Sequence, residues 1–135
     1  MDTSLEYIKQ CDCEEIQNSW GIDLGDFYTR DYNIDILSFK GCLILREDKT
    51  ALGHVLWLPR QDQLQKMVKV HPFELLDKFH SFCMWDEQFE EKREKLGAIS
   101  MEQLWLAFVM SELHHKVWDN EAWVKREIKN ESLVV

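Results

Sequence analysis

Residues 100–118 read SMEQLWLAFVMSELHHKVW, and this stretch decides the fold. Ser100 can accept a hydrogen bond from the first free amides of a helix. Gln103 stands three residues on, where the reciprocal partner of a capping box belongs. Behind that start, Met101, Leu104, Trp105 and Phe108 fall on one helical face, and Leu106, Val109, Met110, Leu113 and Val117 fall on a neighbouring one. Two adjoining apolar stripes are wider than a surface helix uses. The pattern therefore predicts a central core helix from Ser100 to Trp118, packed on more than one side.

The flanking segments supply what such a helix packs against. Upstream, Pro72 suits a first helical turn. After it Phe73, Leu76, Phe79, Phe82 and Cys83 recur at helical spacing, a bulky face expected to lie on the central helix. Leu64, Met67 and Val68 form one side of a shorter helix before it. From Asp86 to Lys95 the chain is highly charged, Phe89 alone faces inward, and Glu91 and Lys95 form a helix-supporting pair. Gly97 reads as the stop before Ser100. Downstream, Asp119-Asn120 is a turn pair that tolerates left-handed backbone. Trp123 and Val124 are expected to fold back on the core, and the tail over 125–135 to fray.

The first half is less regular. Residues 2–19 read as helical, with Asp2 or Thr3 as the cap, a break near Cys11–Cys13, and a stop at Gly21. Gly21, Gly25, Asp31, Asn33 and Asp35 are turn formers. Cys42–Leu45 and His54–Leu58 are candidate strands joined across the polar stretch Arg46–Thr50, and Phe27–Thr29 is a possible third strand. Both longer runs are apolar at successive positions, which predicts cover on both faces. Pro59 ends the last strand. The expectation is one α+β domain over 1–135, mostly helical. It is helical over 2–19 and 61–118, with a two- or three-stranded antiparallel sheet in the region 27–58.

Composition sets limits. The chain is 45% hydrophobic with six Trp and seven Phe, enough for a core at the length of one domain. No apolar run approaches the ~20 residues of a membrane span. The start, MDTSLEYIKQCDCEE, lacks a secretion-signal pattern, so a cytosolic location is expected. In that compartment Cys11, Cys13, Cys42 and Cys83 default to free thiols, with Cys42 and Cys83 as small core residues. The formal net charge of -9 argues against direct nucleic-acid or anionic-membrane binding, which would need clustered Lys and Arg. It permits an acidic surface that meets a basic protein, although solubility alone accounts for such a charge.

Motifs for chemistry are weak throughout. Zinc wants four tetrahedral N or S ligands, and the single residue between Cys11 and Cys13 is poor spacing for it. His114 and His115 point about 100° apart on a helix. Glu112 and His115 have the Glu-x-x-His spacing of di-iron bundles, but in one copy where that chemistry needs two. His71 and Glu74 have the reverse order. Ser81 and Ser111 lack a glycine elbow, and there is no phosphate loop or dinucleotide fingerprint. No catalytic residue, metal or cofactor is expected. Trp57, Trp85, Trp105, Trp118 and Trp123 suit core and rim packing better than a ligand pocket or a binding surface.

The segments Trp57–Met67 (WLPRQDQLQKM), Ser100–Met110 and Lys116–Val124 (KVWDNEAWV) resemble small uncharacterised proteins encoded by phages and prophages of Gram-positive bacteria. The resemblance covers about the C-terminal two thirds and carries no active-site motif. It implies a non-enzymatic binder of a host protein, similar in size and charge to anti-CRISPR inhibitors of defence nucleases. Such nucleases hold nucleic acid in positive channels that an acidic protein can occupy. The candidate partner-binding groups are Asp86, Glu87, Glu90, Glu91 and Glu94, diluted by Lys92, Arg93 and Lys95, with Asp12, Glu14 and Glu15 as a second cluster. The alternatives are a small metal-dependent enzyme using His114, His115, Glu112 and the cysteines, and a prophage structural or regulatory protein acting as a homo-oligomer.

Overall fold

The computed structural model describes residues 1–86 and 99–126. Along the chain lie α1 (Leu5–Cys11), α2 (Glu14–Gln17), β1 (Phe27–Arg30), β2 (Asn33–Ile36), α3 (Phe39–Glu47), β3 (Val55–Leu58), α4 (Gln61–Met67) and α5 (Pro72–Trp85). Then come α6 (Met101–His114), β4 (Lys116–Trp118) and β5 (Trp123–Lys125). The fold is α+β. Its three-stranded antiparallel sheet has the order β2-β1-β3, with α1 packed against β3, and β4 and β5 form a separate hairpin.

Helix α6 is the centre of the core. Ser100 caps it by accepting the Gln103 amide at 3.1 Å. Trp105, Leu106, Phe108, Val109 and Met110 are buried, and positions that close together cannot share one face, so neighbours cover two sides. Each such side chain stabilises the fold by about 1.5–3 kcal/mol when fully buried. The helix ends earlier than the pattern predicts. His115 is left-handed, with φ 54° and ψ 42°, and its amide donates to the carbonyls of Met110 and Ser111. Histidine is among the residues that enter this region more readily than most. Lys116–Trp118 then becomes β4 instead of a last helical turn. The turn at Asn120 (φ 84°) returns the chain so that Val117 faces Val124. Two indoles fasten this hairpin to α1: Trp118 Nε1 donates to Glu6 at 2.9 Å, and Trp123 Nε1 to the Gln10 carbonyl at 2.8 Å.

The N-terminal segment forms two pieces broken at Asp12–Cys13, as its pattern predicts. Its cap is Ser4, not Asp2 or Thr3, because Ser4 accepts the Tyr7 amide at 3.2 Å. Asp2 accepts the Ser4 amide at 2.8 Å and the Ser100 hydroxyl, which locks the start of α1 to the start of α6. Burial pushes the Asp2 carboxyl up, but the hydrogen bonds from Ser100 and Ser4 outweigh it and hold the group below its usual range.

The strand expected at Cys42–Leu45 is instead part of helix α3. Ser38 caps it through the Gly41 amide at 3.1 Å, and Cys42 and Leu45 turn inward at 2% and 0% exposure while Leu43 stays 49% exposed. A four-residue apolar run fits either element, and the cap four residues upstream decides between them. The hairpin expected across Arg46–Thr50 is absent for the same reason. β1 pairs with β3 on one side and with β2 on the other, the latter joined by a two-residue turn in which Asp31 (φ 52°) and Tyr32 (φ 65°) are both left-handed. That backbone twist suits a tight hairpin. β2 is an exposed edge, and its Asp35 discourages further pairing. On the opposite edge the Gln17 amide stands in for a strand, donating to the Trp57 carbonyl at 3.0 Å and accepting the Trp57 amide at 2.9 Å.

Helix α5 packs only in part as expected. Phe79 stacks on Trp105 with ring centres 3.7 Å apart, and Phe82 meets Phe108 at 5.6 Å. Phe73 and Leu76, expected on the same face, are 77% and 58% exposed. Leu75, Phe79 and Phe82 are the α5 side chains that pack against the core instead. Cys83 is half-buried, not a core residue like Cys42. The expectations for Phe89, the Glu91–Lys95 pair, Gly97 and most of the 125–135 tail fall outside the described residues.

Candidate functional site

Of the predicted acidic groups, Asp12, Glu14, Glu15 and Asp86 lie among the described residues. Glu87, Glu90, Glu91 and Glu94 lie outside the described residues. Asp86 is held by Arg126, which also reaches the Ser111 hydroxyl, so this carboxylate is spent within the chain. Glu15 pairs with Lys116, whose hydrogen bond holds the Glu15 carboxyl below its usual range. Asp12 and Glu14 remain exposed at the junction of α1 and α2.

Asp12 opens onto a small cleft of about 120 Å³ at the hairpin end of the sheet. The end of α1 contributes Ile8, Lys9 and Asp12. The β1–β2 turn contributes Thr29, Asp31 and Tyr32. His54, just before β3, and Leu56 within it complete the lining. Each position follows from local structure. Asp12 is the C-cap of α1, where the helix dipole disfavours a carboxylate, so its placement works against local stability. Tyr32 holds a positive φ, which is uncommon for a bulky side chain, and the turn leaves its ring 75% exposed. Thr29 alternates inward from β1. It is 3% exposed, and its hydroxyl has no hydrogen-bond partner.

Two carboxylates, Asp12 and Asp31, line this cleft. Neither Asp12 nor Asp31 has an ion-pair partner among the described residues, Lys9 included. Two carboxylates, a buried hydroxyl and an exposed aromatic face can together bind a guanidinium or ammonium group. The apolar floor of Ile8 and Leu56 suits the methylene stem of Arg or Lys. Up to residue 48 the chain carries Asp2, Glu6, Asp12, Glu14, Glu15, Asp23, Asp26, Asp31, Asp35, Glu47 and Asp48 against Lys9, Arg30, Lys40 and Arg46. Of the cleft, Asp12 was legible as a site residue. Asp31 was legible only as a turn former, and Thr29, Tyr32 and His54 gave no functional signal because they meet only after the sheet forms.

The residues considered for catalysis do not converge. Cys11 is fully buried at the end of α1, while Cys13 is half-buried beside Glu15, and burial pushes the Cys13 thiol up to about 11. His114 and His115 line different grooves. Ser81, Ser111, Glu112 and His115 share an open groove of about 560 Å³ between α5, α6 and β5, but Glu112 is paired with Lys78 at 3.0 Å. Among the described residues no group of three or more His, Cys, Asp or Glu side chains is placed to hold a metal ion. No described helix is long and apolar enough to cross a membrane. Of the tryptophans, Trp57, Trp105 and Trp118 are buried and Trp85 is 74% exposed. Compared with protein-family models, with curated proteins and with solved structures, the chain shows no match.

Proposed function

We propose that this chain is a non-enzymatic, phage-type protein that acts in the bacterial cytosol by binding a basic host protein, and that its target is a nucleic-acid-binding enzyme of the defence-nuclease class. The observation that carries this reading is the cleft at the hairpin end of the sheet. There Asp12 and Asp31 stand unpaired beside a buried, unpartnered Thr29 hydroxyl and the open ring of Tyr32. A channel lined with Lys and Arg for phosphate is the complementary surface, and an acidic protein that enters it displaces nucleic acid without cutting it. The cleft supplies one anchoring pocket, and the surrounding carboxylates steer the encounter.

The test is phage plating on a strain with an active CRISPR nuclease that expresses this chain. The wild-type chain is expected to restore plaques. The double variant Asp12→Lys/Asp31→Lys is expected to bind the retained nuclease at least about 100-fold more weakly, the loss of ~2.7 kcal/mol that follows from breaking close charge pairs. Both residues are exposed, so the variant should fold. A wild-type chain that restores no plaques and retains no host protein on an affinity column would overturn the function. A double variant that protects as well as wild type would overturn the site.

A further inference from the structure

We infer that a second groove, beside Trp57, is a binding site for a small organic carboxylate with a flat apolar body. The groove has a volume of about 520 Å³, within the range of small-molecule pockets. It lies between the end of α2, β3, α4 and α6, and shares no lining residue with the acidic cleft. Lys66, Lys69 and His114 line it together with the apolar side chains of Met67 and Leu113, and no carboxylate does. In a chain with a net charge of -9 that composition runs against the average surface.

A second observation is independent of charge. Trp57 also lines the groove, and although it is 3% exposed its indole Nε1 has no hydrogen-bond partner. Its main-chain N–H and C=O are both engaged by the Gln17 side chain, so the indole N–H is the one donor left over. A buried donor without an acceptor is rare in folded proteins, and a ligand oxygen is one way to complete it. The ring also stacks on Trp20, 3° from parallel with centres 6.1 Å apart, so its orientation is set before any ligand arrives. The donor set is one fixed N–H, two ammonium groups and an imidazole around apolar walls. It fits a carboxylate joined to an aromatic or alicyclic body better than a strongly hydrated inorganic anion. A neighbouring groove of about 500 Å³ shares Lys66 and Lys69 and borders Trp105, whose indole N–H is also unpartnered, but Asp62 lines it and weakens its attraction for anions.

The experiment is a titration of the full ¹⁵N-labelled chain, following the Trp57 indole N–H by NMR. Indole-3-acetate and benzoate are the carboxylate probes, with indole-3-acetamide and inorganic phosphate as the neutral and inorganic arms. A saturable shift of the Trp57 indole signal is expected with the carboxylates. It should be at least tenfold weaker with the amide and with phosphate, and at least tenfold weaker again for the carboxylates in the surface variant Lys66→Glu/Lys69→Glu. No saturable shift with either carboxylate, an equal response to the amide or to phosphate, or full binding by the folded double variant would each overturn the assignment.

Discussion

Replacing Asp26 by alanine is expected to destabilise the fold by about 3–5 kcal/mol, the cost of removing one partner from a buried charged network. Asp26 is 1% exposed, and its carboxylate collects donors from three parts of the chain. One oxygen accepts Trp20 Nε1 at 2.8 Å and the Asp23 amide at 2.9 Å. The other accepts Gln63 Nε2 at 2.8 Å, with Arg60 at 3.5 Å. Gln63 in turn accepts the Arg60 amide that starts α4. Alanine would leave the Trp20, Asp23 and Gln63 donors without acceptors, and each buried unsatisfied donor costs about 1–3 kcal/mol. Asn at 26 keeps one acceptor but turns an amide against a donor, so a smaller loss is expected. The measurement is the urea midpoint at unchanged slope. A loss below about 1 kcal/mol for the alanine variant would show that the network does not hold α2, the loop before β1 and α4 together.

The second large effect is alkaline destabilisation. Burial pushes the Cys11 thiol well above its usual value and the Cys13 thiol up to about 11. The Tyr7 phenol is raised above its ordinary range, first by burial and then by the neighbouring Cys11. It is fully buried and donates to the Pro59 carbonyl at 2.7 Å. All three are protonated and neutral in the fold. Once unfolded, the thiols ionise from about pH 8.5 and the phenol from about pH 10. Above those values the unfolded chain binds fewer protons than the folded one, so stability falls as pH rises. The contribution is complete below about pH 8 and is lost through pH 9–11. The slope is about 1.4 kcal/mol per pH unit for each group that ionises only on unfolding. Urea midpoints at pH 7, 9 and 10.5 check this, and Cys11→Ala should flatten the first part of the decline. A midpoint constant to pH 10.5 would mean that these groups reach solvent in the folded state.

The legibility of the fold divides along the same physical line as that of the site. The start of α6 was readable because Ser100 and the stripes behind it are local signals. Pro72 and the Asp12–Cys13 break were readable for the same reason. The run at 42–45 was not, because four apolar residues carry no period of their own and Ser38 lies outside them. The end of α6 was missed because apolar spacing continues through Val117 while the backbone reverses hand at His115, which sequence marks only faintly. The exposure of Phe73 and Leu76 depends on where α5 crosses α6, a tertiary quantity. In the site, the surplus of carboxylates was visible, but not which of them are spent. Lys116 takes Glu15 and Arg126 takes Asp86, pairings made across 101 and 40 positions of sequence. Asp12 and Asp31, neither of them in an ion pair among the described residues, are brought together only when the β1–β2 turn docks beside the end of α1.

The central claim is that this cleft receives a cationic side chain, and its most direct test needs no partner. The ¹⁵N-labelled chain would be titrated with N-acetyl-arginine-methylamide while the amide signals are followed. Saturable shifts confined to Asp12, Thr29, Asp31, Tyr32 and His54 are predicted, with none in Asp12→Lys/Asp31→Lys. Shifts scattered over all acidic positions without saturation, or shifts that persist in the double variant, would contradict it.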